Sequence, residues 1–343
     1  MTETGHHRLR HTWSLHRALS VIGLSALIVL GLVGGGRLNV VGAAARLSKA
    51  TTTVPHIMLI VEENRSYSDI IGSPYAPYIN SLATTYVSAT NWYAVQHTSE
   101  DDYVDLLSGS NQGIPVAKPY AASTLVDELH TAGIPWKSYM ENLPSDCMKG
   151  TVANGLYDVF HNAFHYFTRY GTSTGHWCNT ANLSTEGVVP YPGSSAFITA
   201  LDAGNAPDFV TLTPNDCNEM HGDSKTGSTC LGVTQRQLIS AGDSWLSANV
   251  GPVIQSSWFK QNGIIIITWD EGASPDKTGC CGGVAIGGHV PTIVITSTNQ
   301  GRGQFTGTGD TYGILRAIEE AYGVTLLLNS ANTVNGDLTG AFG

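Results

Sequence analysis

Two apolar runs that break off into carboxylates limit what this chain can become. Residues 55–66 read PHIMLIVEENRS, so Ile57 to Val61 lead straight into Glu62, Glu63, Asn64 and Arg65. Residues 263–271, GIIIITWDE, repeat the plan with Ile264 to Ile267 and then Asp270 and Glu271. Runs of this kind suit strands buried on both faces, as in parallel sheets covered by helices. An unpaired acid where such a strand emerges costs roughly several kcal/mol, so acids placed there imply a cation, a ligand or a hydrogen-bond network. Two such strands predict one open sheet whose carboxyl ends share a crevice, where α/β sheets bind ligands. Glu63 and Asn64 are accordingly candidate metal ligands, although Asn64 and Ser66 alone would equally serve a turn.

The intervening chain alternates as an α/β protein should. Ser123 or Thr124 can cap a helix carrying Leu125, Leu129 and Ala132 and stopped at Gly133, and Pro135 to Met140 follows as a strand. Asp208 to Thr213 is a further strand, and Thr234 to Val250 places Leu238, Ile239, Gly242, Trp245 and Leu246 at helical spacing. Pro291 to Thr296 is the next strand, and Asp310 caps a last helix with Leu315, Ile318 and Tyr322 that ends at Gly323. The fold expected is α/β, with a mostly parallel central sheet and helices on both faces.

The first 17 residues carry Arg8, Arg10, Arg17 and four histidines, and the nineteen residues from Ala18 to Gly36 have no charge. This is an export signal in outline, with Ala43 and Ala45 placed for cleavage; a run long enough to span a bilayer also allows an uncleaved anchor. Residues 1–45 are therefore read as a signal peptide or anchor and 46–343 as one domain, secreted or held on the outer face of a bacterial envelope. Without residues 1–45 the chain keeps 13 basic against 26 acidic residues, a balance that argues against a nucleic-acid partner. Six cysteines behind an export signal favour disulfides. Proximity in sequence pairs Cys147 with Cys178 and Cys217 with Cys230, leaving Cys280 and Cys281 as an odd adjacent pair.

Several loop segments carry groups suited to chemistry. In QHTSEDDYVDLLSG, Tyr103, Leu106 and Leu107 give a short helical stripe that puts Ser99 at or just before a helix start, where free amides favour an alkoxide and a phosphate. Thr98 or Ser99 could instead be only the N-cap, with Glu100, Asp101 and Asp102 as first-turn acids. His161 and Asn162 in YDVFHNAFHYF, Asn215 to His221 in PNDCNEMHG, and His289 in GGHVP sit beside amides or acids on turn-rich segments. His165 and His176 read as structural histidines among aromatics.

Together these segments resemble the phosphoesterase family that groups bacterial acid phosphatases with phospholipases C, a branch of the alkaline phosphatase superfamily. The likeness runs from about Pro55 to Gly323 through EENRSY, HTSEDDY, HNAF, NDCNEMHG, TWDEG and DTYGILRAIEEAYG, in family order. It implies that Glu63, Asn64, Asp270 and Glu271, with Ser99, hold a divalent ion. By the same resemblance Ser99 would attack phosphorus, His161, Asn162 and His221 would act on the oxyanions and leaving group, and His97, Asp102, Asn218 and His289 would line the substrate. Oxygen ligands suit Mg, Ca or Mn, and nearby histidines leave Zn open.

The family's serine is usually followed by proline and asparagine, as HPSxPNY, whereas this chain has Thr98, Asp101 and Asp102 at the three variable places, and Glu219 stands where Asp is common. An ionised Asp102 would repel a phosphoryl oxygen, so it must be protonated or turned away. The activity implied is a metal-assisted acid phosphatase that hydrolyses monoesters, phosphatidylinositol phosphates among them, through a phosphoserine. The substrate is a small-molecule or lipid-headgroup ester, and membrane contact is limited to that substrate or an uncleaved N-terminal segment. The alternatives are a phospholipase C-type phosphodiesterase and a secreted phosphate- or metal-binding protein without turnover. No GxSxG elbow surrounds Ser99, which argues against a metal-free serine esterase.

Overall fold

The Ile57–Val61 run forms strand β1, His56–Glu62, whose side chains alternate between two cores: Ile57, Leu59 and Val61 in one, Met58 and Ile60 in the other. The computed structural model describes residues 54–113, 118–150, 156–171, 177–178, 183–222, 230–298 and 303–343; the expected export segment and His176 lie outside them. After β1 come α1 (Tyr67–Ile70), α2 (Pro77–Thr85), β2 (Val87–Tyr93), α3 (Ser99–Ser108), α4 (Leu125–Ala132) and β3 (Trp136–Met140). Next are β4 (Gly187–Pro190), α5 (Ser194–Leu201), β5 (Phe209–Thr213), α6 (Gln235–Gln255) and α7 (Ser257–Lys260). The chain closes with β6 (Gly263–Trp269), β7 (Thr292–Thr296), β8 (Gly303–Asp310) and α8 (Thr311–Tyr322).

The strands form one sheet in the order β4-β3-β5-β1-β6-β7-β2-β8. Strand β7 is antiparallel to both its neighbours, and every other pairing is parallel. The two runs that constrained the sequence are adjacent, in register from His56 opposite Gly263 to Glu62 opposite Trp269. The Asp270 amide donates to the Glu62 carbonyl at 3.0 Å, so the acids that follow the strands emerge side by side. Helices α3, α4 and α8 cover the Leu59 face; α2, α5, α6 and α7 cover the Ile60 face. This is the α/β architecture expected.

The helix ends follow the sequence signals closely. Thr124 caps α4, with Asp127 reaching back to its amide, and Gly133 ends it in the left-handed region at φ 72°. Asp310 accepts the Tyr312 amide at the start of α8. Helix α6 runs past the expected Val250 to Gln255, through Pro252. The N–H that Pro252 lacks would have met the Ala248 carbonyl; Ser194 Oγ of α5 donates to that carbonyl instead, at 3.0 Å, so the proline leaves no orphan. Both cysteine pairs expected from spacing are disulfides, and the two cysteines left over, the adjacent Cys280 and Cys281, are bonded to each other. No helix among the described residues is long and apolar enough to cross a membrane.

Three buried acids tie α3 and α8 to the C-terminal segment. Asp105 accepts from Gln96 Nε2 at 3.0 Å and the Tyr312 hydroxyl at 2.7 Å, and Glu319 accepts from the Leu327 amide and the Ser330 hydroxyl. Burial pushes Asp105, Asp310 and Glu319 each up to about 7. Unfolded carboxyls titrate near about 4, so between there and about 7 the native state binds the more protons and stability falls as pH rises. Melting followed by circular dichroism in chelator should show the midpoint dropping across that window, and Glu319→Gln should flatten the slope. A midpoint that climbs with pH across the window would contradict the assignment.

Candidate active site at the carboxyl edge of the sheet

Parallel strands all end on one side, and here that side gathers the acids. Glu63 and Asn64 follow β1, Asp270 and Glu271 follow β6, and the segment Asn215 to His221 follows β5. Ser99 is the first residue of α3, just after β2, and its N-cap Thr98 makes no side-chain capping bond. The serine thus sits at a helix start, where the first amides have no partner within the helix. His289 reaches the same edge because β7 runs in the opposite direction and begins there.

Ser99 Oγ lies 2.9 Å from Glu63 Oε2, 3.4 Å from Glu271 Oε1 and 3.5 Å from Asn64 Oδ1. The Asn64 amide donates to Asp270 Oδ1 at 3.1 Å, and Asn64 adopts φ 46°, a left-handed conformation that asparagine tolerates better than most residues. Its side-chain head lies 2.8 Å from Glu63 Oε2 and 3.1 Å from both Asp270 oxygens. Turned nitrogen-inward, it bonds all three; turned oxygen-inward, it completes a ring of oxygen donors. Glu63, Asp270 and Glu271 are all buried. Burial and the Asp270 charge hold Glu63 well above the usual carboxylate range, and burial raises Asp270. Burial and Asp270 push Glu271 up to about 7. Three carboxylates around one hydroxyl repel each other at low dielectric, and a hard divalent cation bound by their oxygens removes that cost. The donor set fits such an ion.

A second arrangement adjoins the first. Glu63 Oε1 faces His161 Nε2 at 3.4 Å, and His161 Nδ1 lies 2.8 Å from Glu219 Oε2. Burial alone would lower the His161 imidazole, but Glu219 and Glu63 outweigh it and hold the ring well above the ordinary histidine value. Tyr103 stacks on that ring with centroids 5.6 Å apart. Glu63, His161 and Glu219 are also close enough to share an ion. Helix α6 keeps this loop in place by contact: a Cβ on Gly242 would stand 2.7 Å from the Asn218 carbonyl and 2.5 Å from Met220 Cγ, so only glycine permits the approach.

The other expected residues fall into two groups. His97 braces the acids, with Nδ1 2.5 Å from Glu271 Oε2 and Nε2 against the Asp276 carbonyl. His221 is exposed on the rim of a cavity of about 450 Å³ that Ser99, His161 and Glu219 also line. Asp102 is buried and accepts the Gln96 amide at 3.2 Å, and burial, with Asp105 and Asp270 nearby, holds it well above the usual range. Of the two options its sequence position left, both fit: Asp102 does not line the cavity, and its surroundings disfavour the charged form. Asn162 donates to the Tyr157 and Tyr170 hydroxyls, Asn218 to Glu141, and His289 stacks between Tyr67 and Tyr93 with Nε2 2.9 Å from the Thr90 carbonyl. Those three side chains are committed to neighbours beside the site rather than to the oxygen ring.

The sequence reading missed Asp276. By sequence the loop from Gly272 to Gly288 either covers the site or is a disulfide-pinned surface segment, the second being favoured, yet Asp276 accepts the Ser66 hydroxyl at 2.7 Å and the His289 amide at 3.3 Å, and its carbonyl meets His97. Nothing local marks it, because its partners are remote in sequence.

Binding of a divalent ion by raised carboxyls must expel their protons. Titrating Mn²⁺ into chelator-stripped protein in weak buffer should release protons near pH 6 and fewer at pH 8, and Glu271→Gln should reduce both release and affinity. Calorimetry showing no ion uptake at either pH would rule the oxygen ring out as a cation site.

Comparison with known proteins identifies the family. The family model described as Phosphoesterase family matches residues 73–325. A phosphatidylinositol-3-phosphatase of Mycobacterium tuberculosis is 28% identical over 319 residues, 90% of this chain and 89% of that protein. An acid phosphatase of Aspergillus fumigatus is 25% identical over 233 residues, 67% of this chain but 47% of its own, so this chain spans about half of that relative. A Vibrio parahaemolyticus protein in the alkaline phosphatase superfamily superposes with a TM-score of 0.55 at 15% identity, covering 84% of this chain and 70% of that one.

Proposed function

We propose that this chain, which belongs to the phosphoesterase family and is a hydrolase of phosphate esters, is a cation-assisted phosphomonoesterase that works through a phosphoserine. The observation that carries the reading is the confrontation of Glu63, Asp270 and Glu271 around the Ser99 hydroxyl at a helix start. The cavity beside it is lined by Glu100, Asp158, Asp216 and Glu219, with no Lys or Arg among its described lining residues. A cavity with four acids against two histidines on its lining repels a phosphate dianion unless a cation is held there.

Glu63, Asn64, Asp270 and Glu271, with Ser99, would hold the ion. Bound there, it would neutralise phosphoryl charge and favour the ionised serine. Ser99 Oγ, ionised by loss of its proton to solvent, attacks phosphorus and the ester oxygen leaves with the bond's electron pair. His161, held protonated by Glu219 and Glu63, faces the cavity and stabilises phosphoryl charge, while His221 on the rim protonates the departing alcohol. Water then cleaves the phosphoserine and regenerates the hydroxyl. Asn162, Asn218 and His289 position the walls, and His97 orients Glu271. The acidic lining favours a monoester carrying a single negative charge, hence an acid optimum, because the second phosphate proton is lost near about pH 6.

The relative named as a phosphatidylinositol-3-phosphatase supports phosphoinositides as substrates, and the disulfides support an oxidising compartment reached by export. Ser99→Ala should lower p-nitrophenyl phosphate turnover at least about a thousandfold with the melting curve preserved. Acid quench of the parent enzyme with labelled substrate should leave phosphate on Ser99. Turnover by a folded Ser99→Ala protein would end the phosphoserine reading, and preference for bis(p-nitrophenyl) phosphate would mark a diesterase.

A further inference from the structure

Few positive charges are available to this acidic chain, and two of them share a second hollow beside the catalytic cavity. This hollow, about 450 Å³, is lined by Lys118, Lys149, His165, Tyr166 and Tyr170. The ion pair between Lys118 and Glu100 stands at the boundary, because Glu100 lines the catalytic cavity. The strip from Phe160 to Tyr170 runs from one hollow into the other.

The basic groups are placed by packing. Lys118 Nζ lies 4.1 Å above the Tyr166 ring. The backbone leading to Lys149 is pinned by the Cys147–Cys178 disulfide and by the Tyr170 hydroxyl, which donates to the Met148 carbonyl at 2.9 Å. The Lys149 stem crosses Gly171, where a Cβ would stand 2.2 Å from Lys149 Cε. Lys149 has no ion-pair partner among the described residues. His165 is half-buried, set edge-on to Tyr166 and Tyr170, with Nδ1 lacking a partner among the described residues; burial, Lys118 and Lys149 all lower its imidazole. Lys118 and Lys149 both disfavour charge on His165, and an anion in the open hollow that the three line offsets that repulsion.

We propose that Lys149, Lys118 and His165 form a second anion subsite, which takes the phosphodiester or second phosphate of a substrate whose scissile monoester sits at Ser99. The subsite rests on the phosphomonoesterase reading and narrows it to substrates with two phosphates, such as a phosphatidylinositol monophosphate. The catalytic cavity recognises the group that is cut; the basic hollow recognises one that is kept.

The test compares Lys149→Ala, Lys149→Arg and the parent on p-nitrophenyl phosphate and on a short-chain phosphatidylinositol monophosphate. Lys149→Ala should raise KM for the lipid about tenfold, the scale of one charge-assisted hydrogen bond, with kcat little changed. Lys149→Arg should retain the parent value, and p-nitrophenyl phosphate kinetics should stay within about twofold in every variant, the scale of a weak exposed charge effect. Equal losses on both substrates, or an unchanged lipid KM, overturn the subsite. If Lys149→Ala only relieves inhibition by inorganic phosphate, the hollow is a product site and the proposal is equally overturned. Should the parent hydrolyse neither substrate, the phosphomonoesterase reading fails, and the subsite is judged by NMR titration of His165 with glycerophosphoinositol, which carries only the diester. A rise in the His165 titration point in the parent, absent in Lys149→Ala, supports it; no rise overturns it.

Discussion

Mutual repulsion among buried carboxylates at the join of β1 and β6 is the constraint on which the site depends. Glu63, Asp270 and Glu271 are brought together by strand register alone, because parallel neighbours in step must release their following residues side by side. The fold is stable despite this only because the acids are protonated, hydrogen-bonded or shared with a cation. What would be a liability in a structural sheet is, under the proposed function, the means of concentrating positive charge where a phosphate ester would arrive. The surrounding contacts, His97 on Glu271 and the Asn64 amide on Asp270, hold the oxygens in place and relieve only part of their charge, because burial still raises both acids.

Much of this was legible in the sequence, and the reasons are specific. β1 and β6 announced themselves because a strand buried on both faces has to be a continuous apolar run, and α4 and α8 because their caps and left-handed glycine stops are spelled out by residue type. β8 was invisible: GQFTGTGD alternates between partly buried and exposed positions at the sheet edge and contains no apolar run. β2, VSATNWY, escaped for a related reason, since its burial is shared with polar Ser88.

The candidate site shows the same division. Residue type and position marked Glu63, Asn64, Ser99, Asp270 and Glu271, and the structure gathers them within hydrogen-bonding reach. It could not tell that Asn162 faces two tyrosine hydroxyls, or that His289 is stacked between two rings, because orientation depends on packing partners distant in sequence. Asp102 lies between these cases. Its identity posed an electrostatic question, and the answer came from burial, which sequence does not report.

The reversed direction of β7 carries a consequence of another kind. Because β6 ends and β7 begins on the same edge, the segment between Glu271 and His289 leaves the sheet and returns to nearly the same point. Its base is fixed by Asp276 and the backbone bond from Gly272 to Gly287, while its outer part, around Val284 and Ile286, is exposed. Such an excursion tolerates a change of length: residues added or removed at its exposed tip need not shift either strand, so the cover over this edge could change while the oxygen ring at its base stays in place.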